Sequence, residues 1–348
     1  MRHVALRLVA RWEALLVVLI LGAGVWSWTL SPFFLERANL LDLLSPYVFV
    51  GLMALGLTFV VVAGDIDISV ASTLAVSVVC FAQIWQAGVN VWLAALAGVA
   101  IATALGTMNG VLVGVLDLPS LAVTLGTFAA FRGLAFVILG GEGVADFPLG
   151  FTNVGNGYIR NELPISLLVL LGCAIALGFL LHATRFGRYL YTIGSNRQAA
   201  RFSGIPVARV RVTIFALSGF MAGVAGVAYV GYFGSARADA ADSALLDVVT
   251  AVVLGGVDIF GGAGTILGVL LALVLVAEIR NGMALANHAG PLQDIVVGGI
   301  LVASIVAGNV IRGVRGRRRP TLRGREVESQ PADTVVPVDA QLKPTEGR

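Results

Sequence analysis

Lysine is nearly missing from this chain of 348 residues: Lys343, close to the C-terminal end, is the only one. A phosphate loop of the Gly-Lys-Ser/Thr type needs a lysine amine to reach the nucleotide phosphates. That loop is therefore excluded, and with it ATP binding by a site of that kind on this chain. Charged residues are scarce as well, at 12% of the sequence, about half of what a soluble domain carries. Cysteines number two, and Cys80 and Cys173 both fall in apolar stretches, which makes them buried thiols rather than a disulfide or a metal pair. His182 and His288 stand alone at the ends of apolar runs, without the company a zinc ion needs. There is no Ser/His/Asp arrangement and no paired-carboxylate cleft, which disfavours a membrane enzyme. No metal site and no cofactor are expected.

What the chain has instead is apolar residue, 58% of the total, with a mean hydropathy of +0.92. Apolar runs place spans near 12–30, 46–64, 70–86, 91–116, 119–141, 162–184, 212–233, 244–256, 263–285 and 291–312. About 19 residues of helix reach roughly 29 Å, enough for the hydrocarbon core. The runs 70–86 and 244–256 are short and read as half-helices or tilted pieces. The first span follows Arg2, Arg7 and Arg11 like a signal peptide, but Trp26, Trp28 and Pro32 follow it in place of a small-residue cleavage site, so an uncleaved span is expected. The fold class is all-α, a polytopic bundle of about ten spans with broken or half helices. The domain reading is a membrane domain over 1–312 and a basic, Pro-containing, disordered tail over 313–348, suited to anionic lipid headgroups.

Between the two apolar halves lies the run 185–211, with six arginines and no acidic residue. Such loops are retained in the cytoplasm. An even number of spans on each side puts both termini on that same face, which defines a multi-pass protein with cytoplasmic ends. The segments 31–45, 142–161 and 234–243, which carry Glu36, Asp42, Glu142, Asp146, Asp239 and Asp242, then share the other face. The net charge of +3 reflects topology rather than nucleic-acid binding. Within the arginine run, Ser195 or Asn196 can cap a short helix through Gln198, Ala199, Ala200, Arg201 and Phe202. Gly204 stands where a helix-ending glycine would, and Pro206 blocks resumption. A capped helix hung between spans suits a grip for another protein.

Small residues recur at four-residue spacing along Gly98, Ala102, Gly106, Gly110 and Gly114, along Gly219, Gly223 and Gly231 with Val227, and along Gly299, Ala303 and Ala307. These read as close helix packing rather than ligand contacts. The main polar interruption is 64–69, GDIDIS, in which Asp65, Asp67 and Ser69 alternate with apolar residues. Extended backbone would put them on one edge, as a break lining a translocation route or as an interfacial turn. Residues 61–68 (VVAGDIDI) are echoed by 252–259 (VVLGGVDI), a register that pairs Asp67 with Asp258; duplicated halves with matching breaks are common in transporters. Thr124, Thr127 and Arg132 lie in the body of one span, where an arginine costs about 3 kcal/mol and must face the interior or snorkel. Glu278, Arg280 and Asn281 read as a local ion pair with interfacial anchoring. The translocation-path candidates are Asp65, Asp67, Ser69, Thr124, Thr127, Arg132, Asp258 and Asn281.

The series Gln198, Ala199, Ala200, three residues, Gly204 resembles the Glu-Ala-Ala-x-x-x-Gly loop of ABC importer permeases, with glutamine for glutamate. The resemblance spans about 40–307: GDIDIS at 64–69, TLGT at 124–127, RGL at 132–134, and VLGG at 253–256 followed by Gly261 and Gly262 are similar to ribose-type monosaccharide permeases of the second carbohydrate uptake family. Asp65 and Ala71 stand where many of that family have glycine. YFGSARAD at 232–239 and RNGM at 280–283 look most like the rhamnose and autoinducer-2 members.

The resemblance implies an ABC importer permease fold in a bacterial inner membrane and a dimer with a second copy or a sister permease. It implies ABC ATPase subunits docked at Asn196, Gln198, Ala199, Ala200, Arg201 and Gly204, and a periplasmic sugar-binding protein on the other face. ATP would be bound by the ATPase partner, and this chain would be a transport subunit, not an enzyme. The implied solute is a monosaccharide, a rhamnose-like deoxyhexose or a pentose, with autoinducer-2 as the alternative. An ion-coupled secondary transporter, in which Asp65, Asp67 and Asp258 would titrate, is the rival class, and a non-transport scaffold is a further one.

Overall fold

The computed structural model describes residues 2–160 and 162–316, with side chains for 12–160 and 162–306. Residues through Ile305 form one compact unit; those from Val306 on belong to a second, described beyond Val306 only as helical backbone as far as Gly316. The tail expected from 313 onward lies largely outside the described residues.

The expected spans are present. They are α1 (Arg2–Leu30), α3 (Val48–Val62), α4 (Val70–Gln86), α5 (Val91–Gly114), α6 (Ser120–Leu139), α8 (Ile165–Ala183), α11 (Val207–Phe233), α12 (Ala244–Leu254), α13 (Ile266–Leu285) and α14 (Gly290–Gly316). Short helices α2 (Arg37–Asp42), α7 (Leu149–Asn156), α9 (Arg185–Ser195) and α10 (Arg197–Phe202) lie between them, with a two-residue hairpin, β1 (Tyr158–Ile159) and β2 (Leu163–Pro164). Seven stretches are long and apolar enough to cross a membrane, and α4, α12 and the described part of α14 are shorter apolar helices. The 11 residues of α12 reach about 16 Å, so this helix ends inside the protein.

Every residue of α3 is buried, as befits a helix apolar on all sides at the centre of a bundle. Around it pack α11, α12, α8 and α13. The long contact of α5 with α11 is made by Ala102, Gly106, Gly110 and Gly114 of the first expected ladder with Gly219 and Gly223 of the second, while Gly98 faces Ser77 and Phe81 of α4. A methyl group on Gly110 would lie 2.8 Å from the Val212 Cα, and one on Gly223 would lie 2.7 Å from the Val99 Cα. In lipid the hydrophobic effect does not drive helices together, so such close approach supplies the attraction. Gly231 turns instead toward Gly155 of α7. The third ladder is not a contact within this unit: Gly299 has open space around it and Ala303 is exposed, and the side chain of Ala307 is outside the described set. α14 attaches by its other side, where Val296 and Ile300 pack on the cluster of Leu16, Leu275 and Ile279.

The three acidic segments meet on one face, as expected. Val144 bridges Ala236 in antiparallel fashion, Tyr158 donates to Asp42 at 3.1 Å, and Arg37 pairs with Glu162 at 2.8 Å. Arg280 does not pair with Glu278. Three residues along a helix share a face but two do not, and Arg280 turns to Asp247 of α12 at 2.7 Å and Asp294 of α14 at 2.8 Å. Glu278 is buried against α1, its Oε1 2.7 Å from where a methyl on Gly24 would stand.

Candidate functional site at the basic face

The site is built from two helices that stop short. α3 ends at Val62, and Gly64 then adopts φ 77° with its N–H on the carbonyl of Val61, while the N–H of Asp65 reaches the carbonyl of Val60. α12 ends in the same way: Gly256 has φ 83°, its N–H bonds Val253, and the Val257 N–H bonds Val252. Both are Schellman endings, which need a left-handed residue and so favour glycine. The internal echo is thus real in the backbone but shifted by one residue from its sequence register. Gly64 corresponds to Gly256, and Asp67 does not correspond to Asp258.

The two endings touch. The Gly262 N–H donates to the carbonyl of Val62 at 2.8 Å, satisfying one of the carbonyls that a helix end leaves open. Gly194, near the end of α9, is wedged between Val62 and the Gly261–Gly262 backbone with no room for a side chain. The Tyr191 hydroxyl donates to the carbonyl of Gly264 at 2.8 Å, and burial pushes this phenol up to about 12, so it stays a neutral donor.

The irregular backbone at 65–69 finds its partners on neighbouring helices, the condition for its survival at membrane depth. The Ile66 N–H donates to the Ser120 hydroxyl at 3.1 Å and its carbonyl accepts from Thr124 at 3.2 Å. Asp65 and Asp67 both face α11, as extended backbone requires. Asp67 accepts from the Ser69 N–H and hydroxyl at 3.0 and 2.6 Å and from Ser218 at 2.8 Å, and Asn109 donates to the Ser69 hydroxyl at 2.9 Å. Asp65 meets Arg211 in a two-pronged pair, Nε to Oδ2 and Nη2 to Oδ1, both 2.8 Å; Arg211 is 1% exposed. The third prong of Arg211 reaches Asp117, in the α5–α6 turn, at 2.8 Å.

α10 is tied to the same cluster. The Asn196 side-chain Oδ1 accepts from the Ala199 N–H at 2.9 Å, a cap of the expected kind, and Gly204 ends the helix with φ 76°. Arg197 donates to Asp65 at 3.1 Å and Arg201 to Asp117 at 3.0 Å. The Arg201 hydrogen bond, with the charges of Arg201 and Arg211, holds the Asp117 carboxyl below the usual range. Ala200 is buried, whereas Gln198 and Arg201 are exposed and Phe202 is 93% exposed. An open cleft of about 430 Å³ lies beside the cluster, lined by Asp65, Asp117, Ser120, Arg197 and Arg211.

Apolar helices interrupted at matching places in two parts of a chain are an arrangement found in membrane transporters. Residues 39–305 match the family described as the branched-chain amino acid transport system permease component. The chain belongs to this permease family. The permease is 34% identical over 305 residues to the autoinducer 2 import system permease protein LsrD of Escherichia coli K12, and 35% identical over 306 residues to that of Yersinia enterocolitica. Each alignment covers 86% of this chain and 92% of the relative. No solved structure matches the permease.

Of the residues singled out in the sequence, Asp65, Asp67, Ser69 and Thr124 come together at the first break, and Asp258 lies in the second, where the Phe260 N–H bonds its carboxylate at 3.0 Å. Thr127 bonds the Val123 carbonyl of its own helix at 3.1 Å. Arg132 and Asn281 belong to the opposite face, where Arg132 pairs with Asp242 and Asn281 exchanges hydrogen bonds with Asn39. Sequence reasoning missed Arg197, Arg211, Asp117, Gly194 and Tyr191. One signal for Asp117 was available: it is an acidic residue in a turn on the face that is otherwise rich in arginine.

Proposed function

We propose that this permease is the membrane subunit of an ATP-driven importer, with α10 as the element gripped by a separate ATPase subunit. The observation that carries the reading is the placement of α10. It offers Gln198, Arg201 and Phe202 outward while its arginines and the neighbouring Gly194 hold both helix breaks. In this reading Asn196, Ala199, Ala200 and Gly204 shape the gripped helix, and ATP is bound by the partner. The arginine-rich face is cytoplasmic by the positive-inside rule, in a bacterial inner membrane, and a binding protein delivers solute to the acidic face. A second copy or a sister permease completes the path.

The solute proposed is a monosaccharide, a rhamnose-like deoxyhexose or a pentose. Autoinducer-2 import is the second reading, favoured by the names of the relatives. Asp65, Asp67, Ser69, Thr124, Thr127 and Asp258 would form the inner part of the route, and Arg132 and Asn281 its outer approach.

The deciding experiment is purification from the native membrane with identification of the bound partners, followed by solute uptake in proteoliposomes. An ATPase subunit should co-purify, and Ala200→Asp should abolish both its binding and uptake while the permease still inserts. Uptake that proceeds without an ATPase and collapses with an uncoupler would assign the chain to ion-coupled transport instead.

A further inference from the structure

Among the described residues, α10 makes two side-chain ties to the membrane helices and their connecting turns: Arg197 to Asp65, and Arg201 to Asp117. Both aspartates are bound in turn by one buried arginine, Arg211. The result is a chain of five charged groups whose two ends, Arg197 and Arg201, lie on the six-residue α10 and whose middle, Asp65 with Arg211, is buried in the bundle. The links differ in strength. Asp65 and Arg211 are each about 2% exposed and share two parallel hydrogen bonds, a geometry that resists separation. Arg197 and Asp117 are 35% and 53% exposed, so water can replace their contacts at small cost.

A strong buried joint with weak outer links is what a lever needs, since the outer links can exchange without the joint coming apart. Asp65 is also the residue that follows the helix-ending Gly64, so a pull on its carboxylate acts on the backbone of the break. Asp117 opens the turn into α6, whose Ser120 and Thr124 clamp Ile66 of that same break. Both ties of α10 therefore converge on residues 64–69 by different routes.

We propose that Arg197 and Arg201 are positioning residues that transmit movement of α10 to the first helix break, through Asp65 and through Asp117 with Arg211 as the common joint. The proposal rests on the coupling role assigned to α10 above. It adds that the energetic link inside the permease is ionic and runs to one particular break, and that an arginine of α10 need not touch the ATPase to be required.

The test uses the assembled importer in proteoliposomes, with R197Q, R197K, R201Q and, as a charge control in the same loop, R209Q. The expected result for R197Q is an ATPase subunit retained at the wild-type ratio and basal hydrolysis unchanged. Uptake and the stimulation of hydrolysis by loaded binding protein should both fall about tenfold. R201Q, at a residue that also faces the ATPase, is read for uptake and stimulated hydrolysis only, which should fall to a lesser degree; R197K should recover part of the loss, and R209Q should behave as wild type. A merely structural role would lower the amount of complex without separating hydrolysis from uptake. Full coupling in both R197Q and R201Q would overturn the relay. Loss of the ATPase from R197Q would overturn it too, by making Arg197 a docking residue. A wild-type permease that carries no ATPase would instead be a failure of the coupling role itself.

Discussion

The Gly262 amide and the Val62 carbonyl meet at 2.8 Å, joining the stop of α3 to the turn after α12. Gly194 closes over this contact. A methyl on Gly194 would stand 3.0 Å from the Gly261 carbonyl carbon and closer still to the Val62 oxygen and the Gly262 nitrogen. Those neighbours are backbone, so they cannot rotate away.

Gly194→Ala should therefore separate α9 from both breaks. The expected cost is about 1–3 kcal/mol, the usual range for overpacking, together with loss of uptake in a protein that still inserts. Gly126→Ala is the control, because nothing lies within 4 Å of a methyl there. Thermal unfolding in detergent and uptake in proteoliposomes check both variants. A Gly194→Ala permease as stable and active as Gly126→Ala would refute the wedge.

The buried joint predicts unequal effects at its two carboxylates. Asp65→Asn leaves Arg211 buried with only a half-exposed partner, and an uncompensated buried charge costs about 3–5 kcal/mol. Asp117→Asn removes a tie that water can replace, so the loss should stay below about 1 kcal/mol. Unfolding midpoints of the two variants provide the comparison, and equal shifts would mean that the pairs are not arranged as described.

Much of this architecture is legible in the sequence because its causes are local. Apolar run length gives the spans, the Asn196 cap and Gly204 delimit α10, and alternation of polar residues marks the interruption at 65–69. The failures have a common cause as well. Arg211 sits at the head of an apolar run, and nothing near it in the chain announces that Asp65 and Asp117 neutralise it. The arginine-rich stretch looks like one loop in the sequence, yet residues 185–195 fold into an amphipathic helix whose apolar side, Leu190 and Ile193, is buried on the bundle. The duplicated break falls one residue out of register because the similarity in side chains, VVAG against VVLG, aligns Gly64 with Gly255, whereas the left-handed turn after α12 is carried by Gly256. Arg280 was given the neighbour nearest in sequence rather than the carboxylates of α12 and α14.

The contact of α5 with α11 makes a separate prediction about packing. Gly106→Leu would drive a side chain into the Gly219 backbone, whose Cα lies 2.8 Å from the position of the first added carbon. Both partners are backbone again, so the helices must part and the ladders above and below lose contact. A loss of about 1–3 kcal/mol or more is expected, seen as a lower unfolding temperature and reduced yield of folded protein. Gly172→Leu, on a face of α8 with open space around it, should be neutral.

The tie between α10 and the α5–α6 turn should be insensitive to pH over the range in which cells live. The Asp117 carboxyl is held below its usual range, first by the Arg201 hydrogen bond and then by the charges of Arg201 and Arg211. A group whose folded value is depressed contributes stability that is fully present above its unfolded value, about 3.9 for aspartate. That contribution fades only as the pH falls through the still lower folded value. The difference in stability between the wild type and Asp117→Asn should thus be flat from about pH 5 to pH 8 and shrink below about pH 4. Unfolding temperatures of both proteins, measured across that range, test the sign. A difference that grew on acidification, or that vanished near neutrality, would mean that Asp117 is not held as an ionised partner of the α10 arginines.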